Sequence, residues 1–196
     1  MLWDLSNTKR VIANVTWIAE SVDGAEYDEC VFDRCTFSGS SFTHCRFLSC
    51  RFVRCDLSNL TVTATRFRDA RFESTKLIGV DWTKADAMAE PHTNTSLSFT
   101  DCVLDLSNFV GLNLRAATFE RCHAIETDFA EADLRDAVFR RTDLSGARFH
   151  NSNLERADFR DALNYTIDPR ANKMRGARFN LPEAVALLRG LDVVVE

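Results

Sequence analysis

Residues 45–59 read CRFLSCRFVRCDLSN, with cysteines at 45, 50 and 55 and large apolar residues at 47, 52 and 57. Five is the period of neither a strand, which alternates every two residues, nor a helix, which repeats every 3.6. Extending the grid outward shows how much of the chain it governs. From Tyr27 to Trp82 every fifth residue is apolar: Tyr, Phe, Phe, Phe, Phe, Phe, Leu, Val, Phe, Phe, Leu, Trp. A second run from Phe99 to Phe159 places Phe or Leu at each fifth position except Ala124. All 15 phenylalanines, Phe179 included, fall on these two grids. Two residues before each centre stands a small one, such as Cys45, Cys50 and Cys55 in the first run and Ala132, Ala137 and Thr142 in the second. The other three places in each five are mostly polar.

A repeat that cannot bury its own apolar face must stack on its neighbours. If a large and a small residue of each five both point inward, the backbone between them turns a corner, and four such sides close a roughly square coil of about twenty residues. Successive coils then pair as parallel strands about 4.8 Å apart. The Phe/Leu ladder fills the axis, and the small residues leave room for it.

The pattern of small, polar, Leu or Phe, polar, polar in ADLRDAVFRRTDLSGARFHNSNLERADFRD (132–161) resembles the pentapeptide-repeat family, over roughly residues 25–166. That resemblance implies an all-β fold, a right-handed quadrilateral β-helix. The repeat speaks for fold far more than for function.

At 196 residues the chain suits one solenoid domain with ample length for a core. Its 24 basic and 29 acidic side chains give a net charge of −5, which argues against direct, nonspecific nucleic-acid binding. The start, MLWDLSNTKRVIANVTWIAE, has no basic stretch followed by a long apolar one, and no segment reaches membrane-spanning length. The expectation is a soluble cytoplasmic protein without membrane association. All 7 cysteines sit at the small inward position, in spacings unlike those of zinc sites. Cys30/Cys50, Cys35/Cys55 and Cys102/Cys122 are twenty apart and so stack, close enough for a disulfide. In a cytosolic setting buried free thiols are expected, with no metal and no cofactor.

Two breaks interrupt the grid. Between Trp82 and Phe99 lies TKADAMAEPHTNTSLS, and the grid resumes two residues out of step. Pro91 cannot donate to a ladder and EPHTNTS is rich in turn formers, so residues 83–96 read as an outward loop or kink. Loops on a rigid scaffold often carry function. The second break is the tail. Asn180 reads as a helix cap, with Glu183 as its capping-box partner, Pro182 in the first turn and Gly190 as the stop. Ala184, Leu187, Leu188 and Leu191 form one apolar stripe. LDVVVE then reads as a terminal strand. A short helix and an apolar strand at the open end of a sheet make a self-complementary surface, and Leu181, Ala184, Leu187, Leu188, Leu191 and Val194 are the expected homodimer contacts. At the other end Trp3, Val11, Ile12, Trp17, Ile18 and Val22 are expected to close the first coil. The organisation is therefore an N-terminal cap (1–24), a first β-helix run (25–82), an interrupting loop (83–96), a second run (97–179) and a helix with a strand (180–196).

The tail LNYTIDPRANKMRGARFNLPEAVALLRGLDVVVE (163–196), with LIGVDW (77–82), resembles the gyrase-protecting branch of the family. That branch comprises the quinolone-resistance (Qnr), albicidin-resistance and microcin B17 immunity proteins, and the likeness is closest to the albicidin-resistance protein. It implies a homodimer joined at its C-terminal ends. It also implies a DNA mimic that binds type II topoisomerase, with DNA gyrase the first candidate and topoisomerase IV the second, and that protects it from poisons. A loop at the place of residues 83–96 matters for protection in such proteins, which singles out Glu90, Pro91 and His92. No second large loop interrupts residues 25–82, unlike the quinolone-resistance members, so the drug class stays open.

Charge placement bears on mimicry. In residues 97–166 two adjacent sides of the coil carry Asp105, Glu126, Asp128, Glu131 and Asp143 against Arg148 alone. The other two sides balance, with seven acids and seven arginines. Some eight coils span roughly 40 Å, over which B-DNA bears about 24 charges; mimicry must therefore rest on local stripes. An enzyme is the opposing class, but His44, His92, His123 and His150 lie at outward or loop positions, with no nucleophile elbow, phosphate loop or metal spacing around them. No catalytic activity is expected. The alternative to gyrase protection is an interaction scaffold for another protein partner.

Overall fold

In the computed structural model, residues 6–86, 97–189 and 191 are described. They form an all-β parallel solenoid with four sides, assembled from three-residue strands and single bridges. Residue n pairs with residue n+20, as in Ser6↔Glu26, Arg46↔Arg66 and Thr118↔Val138. The sides are named here by their second-coil centres, Tyr27, Phe32, Phe37 and Phe42. On the Phe32 side one column runs Ile12, Phe32, Phe52, Phe72, Phe99, Phe119, Phe139, Phe159, Phe179. Eight steps of about 4.8 Å make a rod roughly 40 Å long.

The alternation of Phe and Leu in the second run has a direct packing consequence. Phenylalanines ten residues apart fall on opposite sides, so two aromatic stacks face each other across the axis while Leu lines the other two sides. Within a stack the rings are parallel: Phe119 and Phe139 have centroids 4.9 Å apart at 4°. Between stacks they meet edge-on, as do Phe129 and Phe139 at 5.5 Å and 83°. Both are favoured arrangements of aromatic quadrupoles, and the apolar core is continuous from Ile12 to Ile167.

Most corners are turned by the second residue after a centre, which adopts left-handed backbone even where it is not glycine: Arg34 (φ 53°), His44 (φ 52°), Leu106 (φ 61°), Asp136 (φ 62°). That conformation costs a non-glycine residue roughly 1–2 kcal/mol, offset by the ladder it serves; the Arg34 amide, for example, donates to the Val53 carbonyl at 2.9 Å.

The sides are of two kinds. Where Asp or Asn precedes the centre, its carboxyl or amide oxygen accepts from the amide two residues on, as Asp56 does from Ser58 (3.0 Å) and Asn153 from Glu155 (3.2 Å). The centre's carbonyl is then taken by the amide three residues on, such as Ala137 N to Leu134 O at 3.1 Å. An alanine methyl suffices at that inward place. Other sides are three-residue strands, and all seven cysteines stand two residues after one. Each thiol donates to the strand-centre carbonyl of the preceding rung: Cys30 to Asn7, Cys35 to Ile12, Cys45 to Val22, Cys50 to Tyr27, Cys55 to Phe32, Cys102 to Phe72 and Cys122 to Phe99, at 3.3–3.6 Å. Thr75 and Thr142 do the same with hydroxyls, to Phe52 and Phe119. The cysteines are free and buried, and serve as small donors to carbonyls that the strand leaves open.

Three expectations change in detail. Residues 6–24 of the expected N-terminal cap are a regular coil in register with the next one. Ile12 and Val22 are buried there, but Val11 and Ile18 point outward, 72% and 64% exposed, because they flank the centres; Trp3 lies outside the described residues. The first run also extends beyond residue 82. Trp82–Lys84 is a 3-10 turn capped by Asp81, and Asp86 still pairs with the previous rung through its amide to Thr65 O (2.9 Å) and its carboxylate to Arg66 (2.9 Å). Phe99 then registers with Phe72, twenty-seven residues on (99 − 72). The two-residue phase shift is therefore an excess of seven (27 − 20) within one coil, confined between Asp86 and Leu97. Finally, the Asn180 capping box is absent: the Asn180 side chain accepts from the Asp161 amide (2.9 Å) and donates to its carboxylate (2.8 Å). Pro182 precedes a 3-10 turn at Glu183–Val185 and one α-helical turn at Ala186–Arg189. Of the expected terminal strand LDVVVE (191–196), Leu191 lies in a turn and residues 192–196, with Val194, lie outside the described residues.

Candidate partner-binding surface

The outward charges divide as the five-residue grid implies. On the Tyr27 and Phe32 sides of residues 97–166, acids and arginines pair across and along rungs. Arg121 grips Asp101 (2.8 Å), Arg156 grips Asp136 (2.7 Å), Arg135 holds Asp133, and Arg140 and Arg160 both hold Asp158 at 2.7 Å. Hydrogen bonds from these guanidiniums hold the carboxyls of Asp101, Asp133 and Asp136 below the usual range, and that of Asp158 far below it.

On the Phe37 and Phe42 sides the acids are not so matched. Asp128 is neutralised by Arg148 at 2.5 Å, and also accepts the Ala130 amide as the turn-forming residue before Phe129. Asp143 plays the same turn role before Leu144, accepting from the Ser145 amide (3.0 Å) and hydroxyl (2.7 Å) and from Asn164 (2.9 Å). Burial, the largest influence, pushes its carboxyl up; the bonds from Asn164 and Ser145, with His123 nearby, outweigh it and hold the group below the usual range. Asp105 accepts the Ile125 amide at 2.9 Å. Glu126 and Glu131 make no side-chain hydrogen bond or ion pair among the described residues. Four acids, Asp105, Glu126, Glu131 and Asp143, thus lack an ion-pair partner among the described residues and lie on three consecutive rungs. Two rung steps span about 10 Å, a length over which duplex DNA carries about six charges.

Glu90, Pro91 and His92 lie outside the described residues. The chain reaches the insertion at Asp86 on the Tyr27 side and rejoins at Ser98–Thr100 on the Phe32 side. The insertion therefore arises from the ion-paired half of the rod. At the C-terminal end Leu181 and Leu191 are exposed, Ala184 and Leu188 half-buried, and Leu187 packs with Ala186 against the end of the core; Val185, not singled out by the stripe, is exposed. Among the described residues no His, Cys, Asp and Glu cluster could hold a metal ion, and no helix is long and apolar enough to cross a membrane.

No curated protein matches the chain in sequence. Among solved structures it is similar to trypsin-treated QnrB1, a plasmid-mediated fluoroquinolone resistance protein, with a TM-score of 0.55, 20% identity and 98% of each chain covered. Full-length QnrB1 gives 0.45 and 21%, over 96% of this chain and 100% of that one. HetL of the cyanobacterium Nostoc, involved in heterocyst differentiation regulation, gives 0.43 and 16%, over 87% and 85%. At these identities the likeness concerns the fold. The family model for the pentapeptide repeat region matches residues 25–90 and 92–166. With the five-residue grid, the four-sided coil and that match together, the chain belongs to the pentapeptide-repeat family.

Proposed function

We propose that this protein is a non-enzymatic, cytoplasmic protector of type II topoisomerase, DNA gyrase before topoisomerase IV. It occupies the enzyme's DNA-binding groove with the Phe37 and Phe42 sides of its second half and so counters topoisomerase-poisoning antibiotics, giving resistance or self-immunity. The observation that supports this is the group of four acids without ion-pair partners among the described residues, at about two-thirds the local charge density of a duplex, on a smooth rod whose other half is ion-paired. A stripe this short binds a basic groove more weakly than DNA does, which lets a protector yield to substrate. The tail resemblance points to a homodimer joined at the C-terminal ends and to albicidin-type poisons. A supercoiling assay with gyrase, with and without the protein, against albicidin-type, quinolone and microcin inhibitors tests the reading. Restored supercoiling against one class is expected; no rescue against any leaves the chain a scaffold for another protein partner.

A further inference from the structure

Tyr165 is 3% exposed, packs on Phe159 and Phe179, and its hydroxyl has no hydrogen-bond partner among the described residues. The grid residue here is Asn164, whose left-handed backbone (φ 57°) hands the inward place to Tyr165. Tyr165 lines a cavity of about 380 Å³ between Asn164–Thr166 and the turn at Pro182–Ala186, which Glu183 also lines. Burial, and then the nearby Glu183 carboxylate, push the phenol up to about 12, so it stays neutral. A buried hydroxyl left without a partner destabilises the fold.

Lys173, Arg175 and Arg178 lie on the last rung, exposed and without ion-pair partners among the described residues; Asp168 is engaged by Arg170. Glu183 is the acid facing the cavity. The same end thus carries an acid at the cavity and cations left unpaired among the described residues, the two halves of a self-complementary contact. The geometry points to the Tyr165–Glu183 cavity as a socket for a basic side chain from the last coil of a second copy, an interface that uses each socket once per partner. This inference rests on the end-to-end dimer proposed above. Lys and Arg are donors only, so the entering cation donates both to the Glu183 carboxylate and to the lone pairs of Tyr165 Oη. Exposed Leu181, Val185 and Leu191 supply the apolar rim.

Sedimentation equilibrium of the full chain, at low and high salt, tests it. Glu183→Gln is expected to weaken the dimer at least tenfold, and Tyr165→Phe several-fold, with unchanged far-ultraviolet circular dichroism. The wild-type dimer should weaken with salt and the Glu183→Gln dimer much less. A Glu183→Lys chain mixed with a Lys173→Glu, Arg175→Glu or Arg178→Glu chain should form a heterodimer in at least one pairing. A wild-type dimer indifferent to Glu183→Gln at both salt concentrations overturns the socket while leaving the dimer in place. A wild-type monomer removes the dimer itself and the socket with it.

Discussion

The amide of Cys122 donates to Oγ1 of Thr142 on the neighbouring rung at 3.2 Å, and that hydroxyl in turn donates to the Phe119 carbonyl at 2.7 Å. One buried hydroxyl thus satisfies two backbone groups that water cannot reach. Thr142→Val keeps the shape and removes both bonds, and about 2–4 kcal/mol of stability should go with them. Thr142→Ser retains both and should lose well under half of that. Urea midpoints of the three proteins check the ordering; a valine variant equal to wild type would show that the ladder carbonyls tolerate being left open.

The thiols should be chemically silent in the folded rod. Burial pushes Cys50 up to about 12, and its sulfur is shielded between rungs. Alkylation with iodoacetamide at pH 8 is expected to label none of the seven until urea opens the coils. Rapid native labelling of Cys50 would contradict the packing. Because the thiol acts as a donor to Tyr27 O, Cys50→Ser should also cost less than Cys50→Val.

Leu106 occupies a left-handed corner (φ 61°) with 59% of its surface exposed, so the side chain gains little from packing and strains the backbone. Leu106→Gly should raise stability by up to about 1 kcal/mol despite the flexibility it adds to the unfolded chain. Thermal melts decide this, and a lower midpoint would mean that the exposed leucine packs on its neighbours more than its surface suggests.

Acid should weaken the rod through its ion-paired half. Asp101, Asp133, Asp136 and Asp158 have carboxyls held below their usual value by arginines. A group whose folded value is depressed adds stability that is full above its unfolded value, about 3.9, and lost as pH falls toward the folded one. Stability should be level from pH 7 to about pH 5 and decline below about pH 4. Asp158→Asn should lower the plateau and flatten that decline, as read from urea midpoints against pH.

Charge reversal separates partner binding from folding. Glu126→Lys with Glu131→Lys touches no side-chain hydrogen bond or ion pair among the described residues, so the melting temperature should hold while gyrase protection falls. Reversing Asp143 instead would break the turn before Leu144 and confound the two. Protection unchanged in the Glu126/Glu131 double variant would make the acidic stripe incidental.

The axis was readable from residues alone because Phe37, Phe47 and Phe149 obey one spacing and only one geometry buries them all; each is buried. The corner conformation was not readable, since residues as different as Arg34, Ala64 and Leu106 occupy it and the repeat itself enforces it. The roles of Asp128 and Asp143 were half legible. Their outward sign could be counted, but the turn they build shows only when Asp or Asn just before a centre is taken as a local acceptor, as also at Asp56 and Asn153. Asn180 misled because a capping box and a rung-to-rung amide pair use the same residue type. The acid facing Tyr165 depended on the grid slipping at Asn164, which spacing arguments built on a constant five do not anticipate.

The extra seven residues between Asp86 and Leu97 leave Phe72 stacked on Phe99 at 5.1 Å, as close as Phe99 lies to Phe119. Each storey touches only the ones above and below, so length added within one storey leaves the spacing of the floors unchanged. Removing residues 118–137 as a block would join Ala117 to Val138, bring Phe99 onto Phe139, and shorten the tower by one storey of about 4.8 Å. Reach along a partner is therefore a quantity this architecture can change in whole steps without redesigning any single floor.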